Sequence, residues 1–292
     1  MSFVITMGVL ISCASIKAPL VTQLPKPKIA LVLGGGAARG FAHVGVIRAL
    51  EQEKIPIDMI IGTSVGSLIG AIYANDPNSF ELEWTAFALE KDSLFDYGIL
   101  NAFTGMGMAK GEKLEEFVRM KIAVTNIEGM KLPFAAVATD LNRGTRVVLD
   151  RGSVAKAVHA SSAIPGVFAP VDYQGHLLVD GGVLDNIPID VAREEGADIV
   201  IAVDISENVA NYNITNLADV MLQAVNIMFN ENVKCKKKEA DVLIAPAVGN
   251  VAMLDFSQKK HCMQAGIDAA QMAMPEIKKK IEEWAKEKQL QK

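Results

Sequence analysis

Between Ile57 and Ala74 the chain reads IDMIIGTSVGSLIGAIYA, and this stretch limits the possible folds more than any other. Asp58 to Ile61 ends in a β-branched apolar run, the pattern of a buried strand. It meets GTSVG, Gly62 to Gly66, with no turn residues between. After Gly66, the small and apolar residues Leu68, Ile69, Ala71 and Ile72 read as a tightly packed helix. Strand, sharp turn and helix with a serine at the apex is the context in which GxSxG forms a nucleophile elbow. Gly62 and Gly66 leave room for a strained turn and a close helix–strand crossing. Ser64 then stands at a helix N-terminus, where free N–H groups and the dipole favour an anion. The plainer alternative is a structural turn serine.

A second unit of the same kind precedes it. Ile29 to Leu33 is a buried-strand run that feeds into GGGAARG, Gly34 to Gly40. Phe41, Val44, Ile47 and Leu50, with Arg48 and Glu51 outside, then have helical spacing. Such a glycine loop offers consecutive backbone N–H groups to an anion, either a phosphate or the oxyanion of a tetrahedral intermediate. A dinucleotide site wants GxGxxG and an acidic residue closing the next strand. Here Ala37 replaces a glycine in the frame ending at Gly40, and Asp58 begins its strand. No Gly-Lys-Ser/Thr follows, which removes the P-loop. An oxyanion hole explains both loops with one chemistry.

Later segments keep alternating. Helices are expected over Phe80 to Glu90, Lys113 to Lys121, Ser153 to Ala163, Ile189 to Glu195 and Asn216 to Lys238. A last helix is expected over Gln258 to Lys288, interrupted near Pro275. Strands are expected over Leu132 to Thr139, Thr145 to Leu149, Asp198 to Val203 and Val242 to Ala245. Ala169 to Tyr173 and His176 to Val179 form a hairpin pattern about Gly175, delivering Asp180-Gly181-Gly182. This alternation implies an α/β fold with a mostly parallel central sheet covered on both faces. Ser93 to Lys110 is long, apolar and aperiodic, and reads as part of a substrate wall or lid, or else as an ordinary packed loop.

With 292 residues, 50% of them hydrophobic, the chain can bury a full core as one large domain. A formal net charge of −5 without a basic block argues against nucleic acid as the main partner. Cys13, Cys235 and Cys262 show neither metal spacing nor a disulfide framework. No run reaches the length of a membrane-spanning helix. At the start, MSFVITMGVLISC holds a short apolar segment, and Leu10-Ile11-Ser12-Cys13 resembles the lipobox of bacterial lipoprotein signals. That implies cleavage before Cys13 and its lipidation, although no Lys or Arg precedes the run and the run is short. The alternative is a hydrophobic leader that packs on the body or stays disordered. Pro19, Pro25 and Pro27 make the next segment a tether. The expected organisation is thus 1–13 signal, 14–27 tether, 28–196 catalytic core, and 197–292 completing the same domain with a helical tail. Ala14, in place of a retention aspartate, points to the outer membrane facing the periplasm, with the cytoplasm as alternative.

A serine hydroxyl needs a base. The four histidines are His43, His159, His176 and His261. In α/β-hydrolase order the histidine follows the acid, which leaves only His261, among lysines. The other candidate is Asp180, whose carboxylate serves if burial among Leu177, Leu178, Val179, Val183 and Leu184 raises its pKa. Its plain alternative is an aspartate that merely caps a turn.

GGGAARG, GTSVG and DGG in this order, with AHVGVIRAL and SSAIPGVFAPV between them, resemble the patatin-like phospholipase family, as a bacterial member. The similarity covers about Lys28 to Gly196. It implies a three-layer α/β/α sandwich and a Ser64–Asp180 dyad framed by the motif glycines Gly62, Gly66, Gly181 and Gly182. It also implies an oxyanion hole from Gly34, Gly35 and Gly36, with Arg39 fixing that loop. Family members hydrolyse acyl esters of lipids without a metal or diffusible cofactor. Many carry a fourth glycine where Ala37 stands, and alanine fits there if its φ is negative. A lipid substrate and a membrane surface are the partners implied. The amphipathic run Ile277 to Lys292 could rest on that surface, but reads better as a helix packed on the body. Two functions compete: a triad esterase using His261, and a non-catalytic lipid-binding protein on the same scaffold.

Overall fold

The computed structural model describes residues 26–90, 94, 96, 109–206, 208–210 and 214–290. The lipobox cysteine Cys13, nearly all of the tether and most of the 93–110 segment lie outside these residues.

Among the described residues eight strands form one sheet. They are β1 (Ile29–Leu33), β2 (Met59–Thr63), β3 (Phe134–Asp140), β4 (Thr145–Leu149), β5 (Val171–Tyr173), β6 (His176–Asp180), β7 (Ile199–Val203) and β8 (Val242–Ile244). The strands β3, β2, β1, β7 and β8 are neighbours in that order and parallel, whereas β3–β4, β3–β6 and β5–β6 are antiparallel. Every residue of β1, β2, β3 and β7 is buried, which fits the all-apolar β1 and β7 and the apolar starts of β2 and β3.

Alternate side chains feed two separate cores. Ile29, Leu31 and Leu33 point into the larger one, packed by α1 (Phe41–Gln52), α2 (Val65–Asn75), α3 (Ser79–Phe87), α4 (Glu112–Lys121), α5 (Val154–Ser161) and α8 (Lys259–Leu290). Ala30 and Val32 point into the smaller, covered by α6 (Ile189–Glu194). The helix α7 (Leu217–Lys236) sends Val225 and Phe229 to the first core and Val233 to the second. The result is a three-layer α/β/α sandwich with a mostly parallel sheet. Residues beyond 197 are integral to it, because β7 pairs directly with β1.

The last helix departs from expectation. It runs unbroken from Lys259 to Leu290 with Pro275 inside it. Pro275 cannot donate to the carbonyl of Gln271, yet both residues are exposed, so water reaches the freed oxygen. Beyond the proline, Ile277, Ile281 and Trp284 pack on the larger core, so the run lies against the body as far as Trp284, and its last turn to Leu290 is exposed.

Candidate active site

Ser64 sits between β2 and α2 with φ 55° and ψ −127°, a conformation that L residues rarely hold. The neighbouring glycines are needed sterically. A Cβ on Gly62 would stand 2.5 Å from the Gly66 carbonyl oxygen, and one on Gly66 would stand 2.1 Å from that of Leu33. Two serines fix the strained peptide. The Ser64 N–H donates to Ser161 Oγ at 2.9 Å, and that hydroxyl donates to the Val137 carbonyl at 2.6 Å. Ser67 Oγ donates to the Ser64 carbonyl at 2.6 Å. The Ser64 hydroxyl itself caps no helix N–H.

Asp180 reaches the serine because of how β3 is paired. Residues 136 and 137 of β3 pair with both β4 and β2, while residues 138–140 pair with both β4 and β6. A strand has two edges, so β2 and β6 must share one, end to end. Thr63 lies opposite Val137 and Asp180 opposite Ala138, which brings the C-terminal ends of β2 and β6 together. Gly181 fits there because it has no Cβ, which would lie 2.2 Å from the Val137 carbonyl oxygen. Gly182 likewise has no room for a Cβ against the Phe229 ring, 2.6 Å away.

The carboxyl of Asp180 is fully buried. Its Oδ1 accepts the Gly182 N–H at 2.8 Å, while Oδ2 has no partner in full hydrogen-bond geometry. Burial pushes its pKa up to about 7, and the adjacent Ser64 hydroxyl and the Gly182 N–H oppose that rise. The Ser64 hydroxyl therefore lies against the carboxyl without a well-aligned bond, as is common before substrate binds.

None of the four histidines hydrogen-bonds to either residue. His43 Nε2 donates to the Gly34 carbonyl at 2.7 Å, and burial lowers its pKa to about 4, so it is neutral. His159 pairs with Glu115 at 2.9 Å, and His176 with Asp140 at 2.7 Å. His261 is exposed, in a cleft with Phe87, Glu90 and Phe256. The triad built on His261 has no base at Ser64.

The glycine loop corrects two expectations. The Gly34 N–H donates to the Val203 carbonyl at 3.1 Å, so it is not an oxyanion donor. The Gly35 N–H is also spent, on the Asn186 carbonyl at 3.3 Å and Oδ1 at 3.1 Å. Among the described residues, the N–H groups near Ser64 that keep no acceptor include those of Gly36, Ala37 and, in the first turn of α2, Val65 and Gly66. Ala37 moreover has φ 46°, in the left-handed region, rather than the negative value expected. That costs an L residue about 1–2 kcal/mol. Arg39 is buried, with Nε on the Ile205 carbonyl at 2.9 Å and Nη1 on that of Val251 at 3.0 Å, and so ties the loop to the C-terminal third of the chain. Ser161 and Asn186 escaped the sequence reading. The one signal for Asn186 was a proline-flanked turn, Asn186-Ile187-Pro188, shortly after Asp180.

Ala37, Ser64 and Val65 open onto an apolar pocket that is open to solvent at its mouth. Its walls include Leu68, Leu89, Leu114, Ile164, Phe168 and Phe256, and among the described residues its polar side chains are Ser64 and Ser162. Leu94, from the 93–110 segment, is also part of the wall. Among the described residues no His, Cys, Asp and Glu group is arranged to hold a metal, and no helix is long and apolar enough to cross a membrane.

This fold and site define an α/β protein with an elbow-borne serine between a main-chain amide cradle and a buried acid. Residues 31–193 match the model of the patatin-like phospholipases, and the chain belongs to that family, a class of lipid ester hydrolases. It is 29% identical over 281 residues to lysophospholipase NTE1 of Scheffersomyces stipitis, covering 85% of this chain and 18% of that protein. An uncharacterised NTE-family protein of Mycobacterium bovis is 38% identical over 182 residues, 62% of this chain and 49% of its own. Human patatin-like phospholipase domain-containing protein 6 is 37% identical over 181 residues, 61% of this chain and 13% of its own. The chain thus spans less than half the length of these curated relatives. Among solved structures, VipD from Legionella pneumophila superposes with a TM-score of 0.53 at 16% identity, over 87% of this chain and 67% of that one, a likeness of fold.

Proposed function

We propose that this protein is a serine acyl hydrolase that cleaves fatty acyl esters of membrane lipids, of the phospholipase A or lysophospholipase type, through Ser64 and Asp180. The observation that carries the reading is a hydroxyl against a buried carboxyl of raised pKa, at the wall of an apolar pocket. An acyl chain fills such a pocket by burying its methylenes, each worth about 0.8 kcal/mol. Ser64 Oγ attacks the ester carbonyl as Asp180 takes its proton, and the free N–H groups of Gly36, Ala37 and Val65 receive the oxyanion. As the carbonyl re-forms, the ester C–O bond breaks and Asp180 returns the proton to the leaving alcohol. Asp180 then accepts a proton from water, whose oxygen attacks the acyl-serine. Collapse of that second intermediate frees the fatty acid and restores Ser64 with the same proton.

Ser64→Ala and Asp180→Asn, each with a native circular dichroism spectrum, should lose hydrolysis of a p-nitrophenyl ester and of mixed phospholipids analysed by mass spectrometry. A fluorophosphonate should label Ser64 in the wild type and not in Ser64→Ala. Turnover retained by either variant would remove that residue from the mechanism. A folded wild type that neither turns over nor labels would leave a lipid-binding scaffold instead.

A further inference from the structure

Asn186 is buried and grips one residue of the glycine loop from both sides. Its carbonyl and its Oδ1 both accept the Gly35 N–H, at 3.3 and 3.1 Å, and its Nδ2 donates to the Gly35 carbonyl at 3.4 Å. A carboxamide presents a donor and an acceptor in one plane, which matches the two polar groups of a peptide backbone. The same Oδ1 lies 2.8 Å from the place a Gly182 Cβ would take, and Gly182 is the residue whose N–H holds Asp180. Gly35 also abuts the nucleophile on this face, since a Cβ there would stand 2.5 Å from Asn186 Oδ1 and 3.1 Å from Ser64 Cβ. Asn186 therefore touches the cradle loop and the acid loop at once.

The peptide bond converts that grip into an aim. The Gly35 carbonyl and the Gly36 N–H belong to one planar trans unit and point in opposite directions. Holding the oxygen on Nδ2 turns the Gly36 N–H away from Asn186, and that N–H is one of the loop donors left without an acceptor. Glycines on both sides would otherwise let this plane swing freely.

We propose that Asn186 is a positioning residue for the acyl-transfer reaction, fixing the direction of the Gly36 N–H so that the oxyanion meets a preset donor. The inference rests on the Ser64 hydrolase reading. Oxyanion donors act on charge that develops only in the transition state, so the loss belongs in kcat.

Asn186→Asp keeps size and the acceptor but loses the Nδ2 donor. Asn186→Ala removes both side-chain bonds and leaves the backbone one. Both should lower kcat about 10- to 100-fold on a p-nitrophenyl ester, the scale of a misplaced catalytic group, with KM nearly unchanged. Affinity for an alkyl trifluoromethyl ketone, whose adduct with Ser64 is tetrahedral, should fall in parallel. Affinity for the fatty acid product should hold. The near-isosteric Asp variant keeps the test open if the Ala variant fails to fold. Wild-type kcat in either folded variant, or losses confined to KM, product binding and melting temperature, overturns the proposal while the hydrolase reading stands. A wild type without turnover or Ser64 labelling removes both.

Discussion

Asp180 carries opposed demands. To accept a proton it must be ionised, yet it is fully buried, and burial lifts its pKa from the ordinary 3.8 to about 7. Between those two values the folded state keeps a proton that the unfolded chain has released, so stability falls as pH rises through that window. The whole shift is worth about 4 kcal/mol at most. Activity runs the other way in the proposed reaction, where the base is the carboxylate. For the wild type, kcat/KM on a soluble ester should therefore rise with pH through an apparent pKa near 7. Asp180→Asn, which the proposed mechanism makes inactive, should melt above the wild type at pH 8, and the gap should narrow as pH falls toward 4. A gap that widens on acidification would mean that burial is not what sets this group. Both residues of the proposed dyad were legible as candidates in the sequence because each is embedded in glycines that only a strained or crowded turn requires. The φ of Ala37 was not legible, since alanine rarely takes φ 46° and nothing local announces it.

Among the elements, the strand–glycine–helix units at β1–α1 and β2–α2 formed where their periodicity placed them. Both are short-range patterns that hold in any setting with two covered faces. Proline misled the reading of α8. A proline inside a helix forfeits a hydrogen bond and strains the preceding turn, at about 3 kcal/mol. Here docking of Ile277, Ile281 and Trp284 on the core outweighs it. Pro275→Ala restores the missing donor on an exposed turn and frees the unfolded chain slightly. We expect a gain of about 1–2 kcal/mol, read as a higher melting temperature with unchanged activity. A lower melting temperature would show instead that the C-terminal turns need the bend proline imposes.

Across the whole molecule, the two ends of the described chain close on each other. A Cβ on Gly45 of α1 would stand 2.0 Å from the Met263 carbonyl oxygen, and one on Gly266 of α8 would stand 2.0 Å from that of Ala42. The backbones are thus in direct contact. Gly266→Ala should wedge the helices apart, lowering stability by about 1–3 kcal/mol in denaturant melts although alanine favours helix. Esterase activity should fall with it, because this crossing stands beside the glycine loop, where the Ala38 N–H donates to the Met253 carbonyl at 2.9 Å. An unperturbed melt would contradict the contact. Ile205, Val251 and Met253, which hold the cradle, lie beyond the 31–193 family match, so the C-terminal third serves the site directly. By itself the sequence determined the local units, the fold class and the candidate nucleophile and acid. Those follow from periodicity and from glycines within a few residues of one another. Only the tertiary structure decided that Ser64 meets Asp180 along one edge of β3, and which amides stay free. Those outcomes depend on pairings such as Gly35 with Asn186, 151 residues apart, which no local pattern encodes.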